Sequence, residues 1–157
     1  EFRRVLFRSQ NERSRALDRE RLAREEIIRV QEEALRELEA PLIPVHERVV
    51  VMPLIGMIDA GRLGRIMETL LSGLSAGRAR VAILDVTGVR RMDASVAEGL
   101  VRVARAARLL GVEVMMTGIG PDVARTLVEL GADLGGIETS LNLQAGIARA
   151  LRHVGRR

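Results

Sequence analysis

Three aspartates, two histidines and a few glycine-flanked hydroxyls are the groups in this chain with types and positions suited to chemistry. Asp59, Asp85 and Asp93 all fall near the ends of expected strands or helices, where oxygen ligands for a magnesium-type ion could converge. Helix capping accounts for Asp59 and Asp93, and Asp85 interrupts a strand run, so no metal site is expected. Histidine occurs only at His46, in an expected turn, and at His153, near the end of the last helix. Cysteine is absent, which excludes thiolate zinc sites, disulfides and cysteine nucleophiles. Lysine is absent as well: all 25 basic residues are arginine, so neither a phosphate-loop lysine nor a Schiff-base lysine exists. No nucleophile–base pair is visible, and the chain does not read as an enzyme. The glycines of "TGIGP" and "GADLGG" match no dinucleotide fingerprint, and no cofactor is expected. Ser95 sits in the first turn of a helix and Thr117 at a strand end, positions where hydroxyls commonly satisfy local backbone groups.

The elements that must position these groups begin at Pro41. "PLIPVHE" and "RVVVMPLIG" read as two short strands with a turn at residues 46–48. Asp59 caps a helix with Leu63, Ile66, Met67, Leu70 and Leu74 on one face. "RVAILDVTGV" is a buried strand, and Asp93 then opens a helix with Val96, Leu100, Val103, Ala107 and Leu110 inward, stopped by Gly111. "VEVMMTGIG" is a further strand, and Pro121 suits the first position of a helix carrying Val123, Leu127 and Leu130. A short extended piece at residues 136–139 precedes a last helix that uses Leu143, Ile147 and Leu151. Strand–helix–strand alternation demands parallel pairing, whereas the first two strands are joined too closely for a crossover and must pair antiparallel. The expectation is an α/β domain over residues 41–155, with a small mixed sheet and about four helices.

Residues 10–40 hold no glycine or proline and read as a helical connector ended by Pro41. Ile28, Leu35 and Leu38 fit a heptad seam, although Arg21, Arg24 and Gln31 occupy other seam positions. A solvated single helix and a dimerising connector both fit. "EFRRVLFRS" at residues 1–9 lacks a methionine and holds both aromatics of the chain, Phe2 and Phe7; it reads as a non-native leader. The formal net charge of +4 is spread along the chain, with no arginine stripe concentrated enough for a nucleic-acid footprint and no aromatic platform for bases. The longest uncharged apolar run, residues 49–58, is broken by Pro53 and too short to span a bilayer. No nucleic-acid or membrane partner is expected, and with no secretory signal visible the expected location is the cytoplasm.

"LDVTGVRRMDASVAEGL" and "MMTGIGPDVARTLVELG" carry a resemblance. Together with "QEEALRELEAPLIPV" and "PLIGMID", in order and spacing, they resemble the STAS domain of RsbR-type stressosome proteins, the RsbT co-antagonists, relatives of anti-anti-sigma factors. The resemblance covers residues 27–152. It implies a STAS fold and a scaffold role: assembly with RsbS-like STAS proteins, retention of an RsbT-like serine/threonine kinase, and its release by phosphorylation in a general stress response. A homodimer within a larger assembly is implied, as is a sensor domain upstream of residue 1.

The resemblance also implies phosphoacceptors. One family acceptor is a threonine directly after the aspartate that opens the second helix; here Asp93 is followed by Ala94, which has no hydroxyl. Ser95 stands at the acceptor position of single-domain anti-anti-sigma factors. The other family acceptor is the threonine of "TGI-P", here Thr117. Because Ser95 is one residue from the family position, a rotation of about 100° on a helix, Thr117 is expected to be the better substrate. Arg90 and Arg91 nearby read as a solvated loop pair. Two other functions fit the residues: a structural STAS subunit that no longer switches, supported by Ala94, and a small-molecule or nucleotide-binding STAS sensor.

Overall fold

A computed structural model describes residues 1–132, 134 and 136–156, with the backbone alone for 36–39. It forms two units, residues 1–38 and 39–157. The first is one helix, α1 (Phe2–Glu39), which runs without a break through the expected leader as well as the connector. Exposed ion pairs one turn apart lace it: Arg24 with Glu20 at 3.0 Å, Arg29 with Glu26 at 2.7 Å and Arg21 with Glu25 at 3.5 Å. Each such pair is worth about 0.2–0.5 kcal/mol to a helix.

The second unit is built on a five-stranded sheet in the order β1-β2-β3-β4-β5. β1 (Ile43–His46) pairs antiparallel with β2 (Val49–Ile55), as their short link requires. β3 (Val81–Gly88), β4 (Glu113–Thr117) and β5 (Glu138–Ser140) follow in parallel. The crossovers are α2 (Ala60–Ala76), α3 (Ala94–Leu109) and α4 (Pro121–Glu129), and α5 (Leu143–Gly155) closes the chain.

Side-chain alternation divides the strands between two cores. Met52, Leu54, Leu84, Val86, Val114 and Met116 pack with apolar residues of α2, α3 and α4. Val49, Val51, Val81, Ile83 and Met115 pack with Ala150 and Val154 of α5. With both faces covered, the central strands read as near-continuous apolar runs rather than alternating ones.

The face of α5 keeps two of the expected residues, Leu143 and Ile147, partly buried against this second core, but not Leu151. Its buried residues are Gly146, Ala150 and Val154, while Leu151 is 39% exposed. The small residues let the helix approach closely: a Cβ on Gly146 would strike the Thr117 methyl. On α3, Leu110 likewise ends half exposed, because it is the helix cap rather than part of the buried stripe.

Candidate functional site

The expected hydroxyls lie at the C-terminal edge of the parallel strands, where α3 starts and β4 ends. Asp93 is the N-cap of α3, and its Oδ1 accepts the Val96 N–H at 2.8 Å. The same oxygen accepts the Ser95 hydroxyl at 2.7 Å. Ala94 and Ser95 are exposed, whereas Val96 and Ala97 behind them are buried. The preceding loop is tied down from α4, where the Thr126 hydroxyl donates to the Met92 carbonyl at 3.2 Å. Ser95 is thus a surface hydroxyl on a fixed backbone, beside the N–H groups that a helix start leaves without intrahelical partners.

The Asp93 carboxyl is held below the ordinary carboxylate range, first by the Ser95 hydroxyl and then by the Val96 amide. These bonds favour the charged form. Their contribution is complete above the unfolded-chain value of about 3.9 and is lost as pH falls through the lower folded value. An NMR titration of the Asp93 side chain should give a midpoint under about 3.9. Ser95→Ala should move it upward, and an unchanged midpoint in that variant would mean the hydroxyl does not hold the carboxylate.

Thr117 is placed quite differently. It is fully buried, with 0% exposure, at the end of β4. Its hydroxyl donates to Asp85 Oδ1 at 2.8 Å, across the β3–β4 register in which the two residues face each other. Thr87 donates to the same carboxylate oxygen at 2.7 Å. Asp85 is therefore the residue that the sequence reading left without a role. The signal was available: an ionisable group in an apolar strand must find partners when the strand is buried. Gly118 then turns the chain with φ at +71°, and a Cβ there would collide with Thr87. With its hydroxyl bonded to Asp85, its methyl beside Gly146 and no exposed surface, Thr117 is reached only if the end of the sheet opens. Exposure thus runs against the expectation that Thr117 is the better substrate.

Beside these groups, Gly56 N–H donates to the Gly88 carbonyl at 3.0 Å and joins the ends of β2 and β3. Arg62 Nη1 donates to the carbonyls of Ile55 at 2.5 Å and Met57 at 2.8 Å, which fixes the loop into α2. A cavity of about 590 Å3 opens there, lined by Ile55, Met57, Thr87, Arg90 and Arg91 among others. Asp59 caps α2 through the Arg62 N–H at 2.7 Å, and no group of three candidate metal ligands forms among the described residues.

Residues 40–145 match the STAS domain family profile. The chain belongs to the STAS-domain family. This STAS domain is 44% identical over 133 residues to the RsbT co-antagonist protein RsbRA of Bacillus subtilis (strain 168), a match covering 85% of this chain and 48% of that protein. It thus spans about half the length of such a relative. Among solved structures, RsbS of Moorella thermoacetica with a serine-to-glutamate substitution superposes with a TM-score of 0.65 at 30% identity, covering 75% of this chain and 98% of that one. A chain from a structure of the stressosome, described as a signal integration and transduction hub, gives a TM-score of 0.65 at 30% identity over 74% of this chain and 100% of its own. The STAS fold and the family expected from the motifs are therefore established. Among the described residues, no helix is long and apolar enough to cross a membrane.

Proposed function

We propose that this STAS domain is a phospho-regulated scaffold module of a stressosome-type complex. In it the domain packs with RsbS-like STAS proteins, sequesters an RsbT-like serine/threonine kinase and so controls a general stress response in the cytoplasm. Its role is recognition rather than catalysis. The observation that carries the reading is the exposed Ser95 hydroxyl in the first turn of α3, on a surface whose charge a single phosphate changes. Phosphorylation adds about −1.5 to −2 charge, and the α3 N-terminus stabilises an anion without unfolding. Such a change is worth about 1–3 kcal/mol of coupling to a docked partner. Both Ser95 and Thr117 remain candidate acceptors, and accessibility favours Ser95.

Incubation with an RsbT-like kinase and ATP, followed by mass-spectrometric mapping, should place phosphate on Ser95 first. Label on Thr117 with none on Ser95 would reverse this order and imply that the kinase opens the sheet edge. A second reading rests on Ala94: the family hydroxyl is missing, so the domain is a structural subunit that does not switch. Kinase retention without label on either residue would favour it.

The connector forms the dimer in the same proposal. Ile28 and Leu35 are 53% and 63% exposed on α1, available to a second helix; the third seam residue, Leu38, has its side chain outside the described residues. Residues 10–157 should sediment as dimers at high micromolar concentration and residues 41–157 as smaller species. If both run as monomers, the seam does not form.

A further inference from the structure

The N-terminal edge of the sheet, opposite Ser95, gathers arginines that are scattered along the sequence. Arg80 N–H donates to the Arg48 carbonyl at 2.8 Å, and Glu113 N–H donates to the Arg80 carbonyl at 2.9 Å. These bonds set three charged residues side by side at the starts of β2, β3 and β4. The C-terminal turns of α5 arrive at the same edge, where His153 Nε2 lies 2.8 Å from Glu113. One cleft, of about 270 Å3, is lined by Arg48, Arg80, Glu113 and His153. A second, of about 430 Å3, is lined by Arg149, Arg152, Arg156, Glu138 and His153. His153 forms a wall of both.

Two of the acidic groups here already have partners, Glu113 with His153 and Glu138 with Arg149 at 2.9 Å. Among the described residues, Arg48, Arg80, Arg152 and Arg156 have no acidic side chain paired with them, and all four are exposed. Arginine holds carboxylates in planar, two-pronged hydrogen bonds, so a pair of such groups is a recognition element rather than a diffuse charge.

We infer that this edge is a docking strip for an acidic polypeptide segment of a partner protein, with carboxylates spaced to reach Arg48 and Arg80 in one cleft and Arg152 and Arg156 in the other. The layout favours an extended chain over a compact anion. The arginine pairs stand on either side of the His153–Glu113 pair, so a concentrated polyphosphate would meet the carboxylate of Glu113 or Glu138 in whichever cleft it entered. Spaced carboxylates straddle that divide. A chain with aromatics only at Phe2 and Phe7 gives nucleic-acid bases no stacking surface in the strip. Since the strip and Ser95 lie at opposite edges of the sheet, this contact is separate from the phospho-regulated one proposed above.

Fluorescence anisotropy of the full chain with a labelled oligoglutamate peptide tests the inference. Binding should be measurable at low salt and lost at about 1 M, where the Debye length is about 3 Å. R48E/R152E should raise Kd at least about tenfold. R102E, an exposed arginine of α3, should leave Kd within about twofold. Should the double reversal fail to fold by circular dichroism, the milder R80Q/R156Q pair replaces it, with the same direction expected. Absence of peptide binding, or equal weakening by R102E, overturns the proposal. So does tighter binding of inorganic tripolyphosphate or a single-stranded oligonucleotide that R48E/R152E abolishes, because the strip would then be a site for those anions instead.

Discussion

Thr117→Asp should destabilise the folded domain by about 3 kcal/mol at pH 7, the scale of a buried charge left without a partner. Ser95→Asp should lower the melting temperature far less: it removes the hydroxyl bond to Asp93 and adds a like charge, but both groups are exposed to water at a helix start that favours negative charge. The same chemical change has unequal consequences because of where the two hydroxyls sit. Thr117 is fully buried and donates its only proton to Asp85. A carboxylate in its place removes that donor and sets two like charges together with little water. The penalty should depend on pH in one direction. One proton shared between the two carboxyls restores the donor, so the loss should shrink as pH falls from about 8 toward about 5. Thermal melts of both variants across that range decide it. A Thr117→Asp protein as stable as the parent at pH 7 would mean that the strand end is open in solution. Thr117 would then rank with Ser95 as an accessible acceptor.

Gly146→Val should cost about 3 kcal/mol, or roughly 10 °C in Tm, the upper range for forcing volume into a packed contact. Even Gly146→Ala should destabilise, although alanine improves helix propensity by about 1 kcal/mol. That sign is the diagnostic part. A Cβ on Gly146 meets the Thr117 methyl, with Met115 Sδ at 3.4 Å and Ser140 Cβ at 3.8 Å leaving little room on either side. The methyl cannot swing away freely, because the Thr117 hydroxyl is committed to Asp85. Thr117→Ser removes the methyl and keeps the hydroxyl. Combined with Gly146→Ala it should recover most of the loss, giving a coupling well above the few tenths of a kcal/mol expected of independent sites. Additive effects in that cycle would show that α5 does not press on the end of β4.

The order and type of the elements after Pro41 follow from the sequence because the forces that set them are local. Asp59, Asp93 and Asn142 cap α2, α3 and α5 through N–H groups three residues on, and Pro121 opens α4. The antiparallel first pair follows from its two-residue link, and the parallel remainder from the helices between strands. The family motifs were legible for the same reason, being runs of neighbouring residues. What only the tertiary structure decided concerns residues far apart. Asp85 and Thr117 are separated by 32 positions and meet because a right register of β3 on β4 brings them opposite each other. That pairing buries completely a hydroxyl that the sequence places only at a strand end. The centre of the inward face of α5 was set by approach distance, which Gly146, Ala150 and Val154 permit, so hydrophobicity found the flanking Leu143 and Ile147 but not the small residues between, and it misplaced Leu151. Arg48 and Arg80 lie far apart along the chain, and both are far from Arg152 and Arg156 at its C-terminal end. They gather at one edge because the parallel crossover brings the starts of β2 and β3 side by side and α5 runs back from the other edge to the same place, and charge density in space is a property of that return rather than of spacing along the chain.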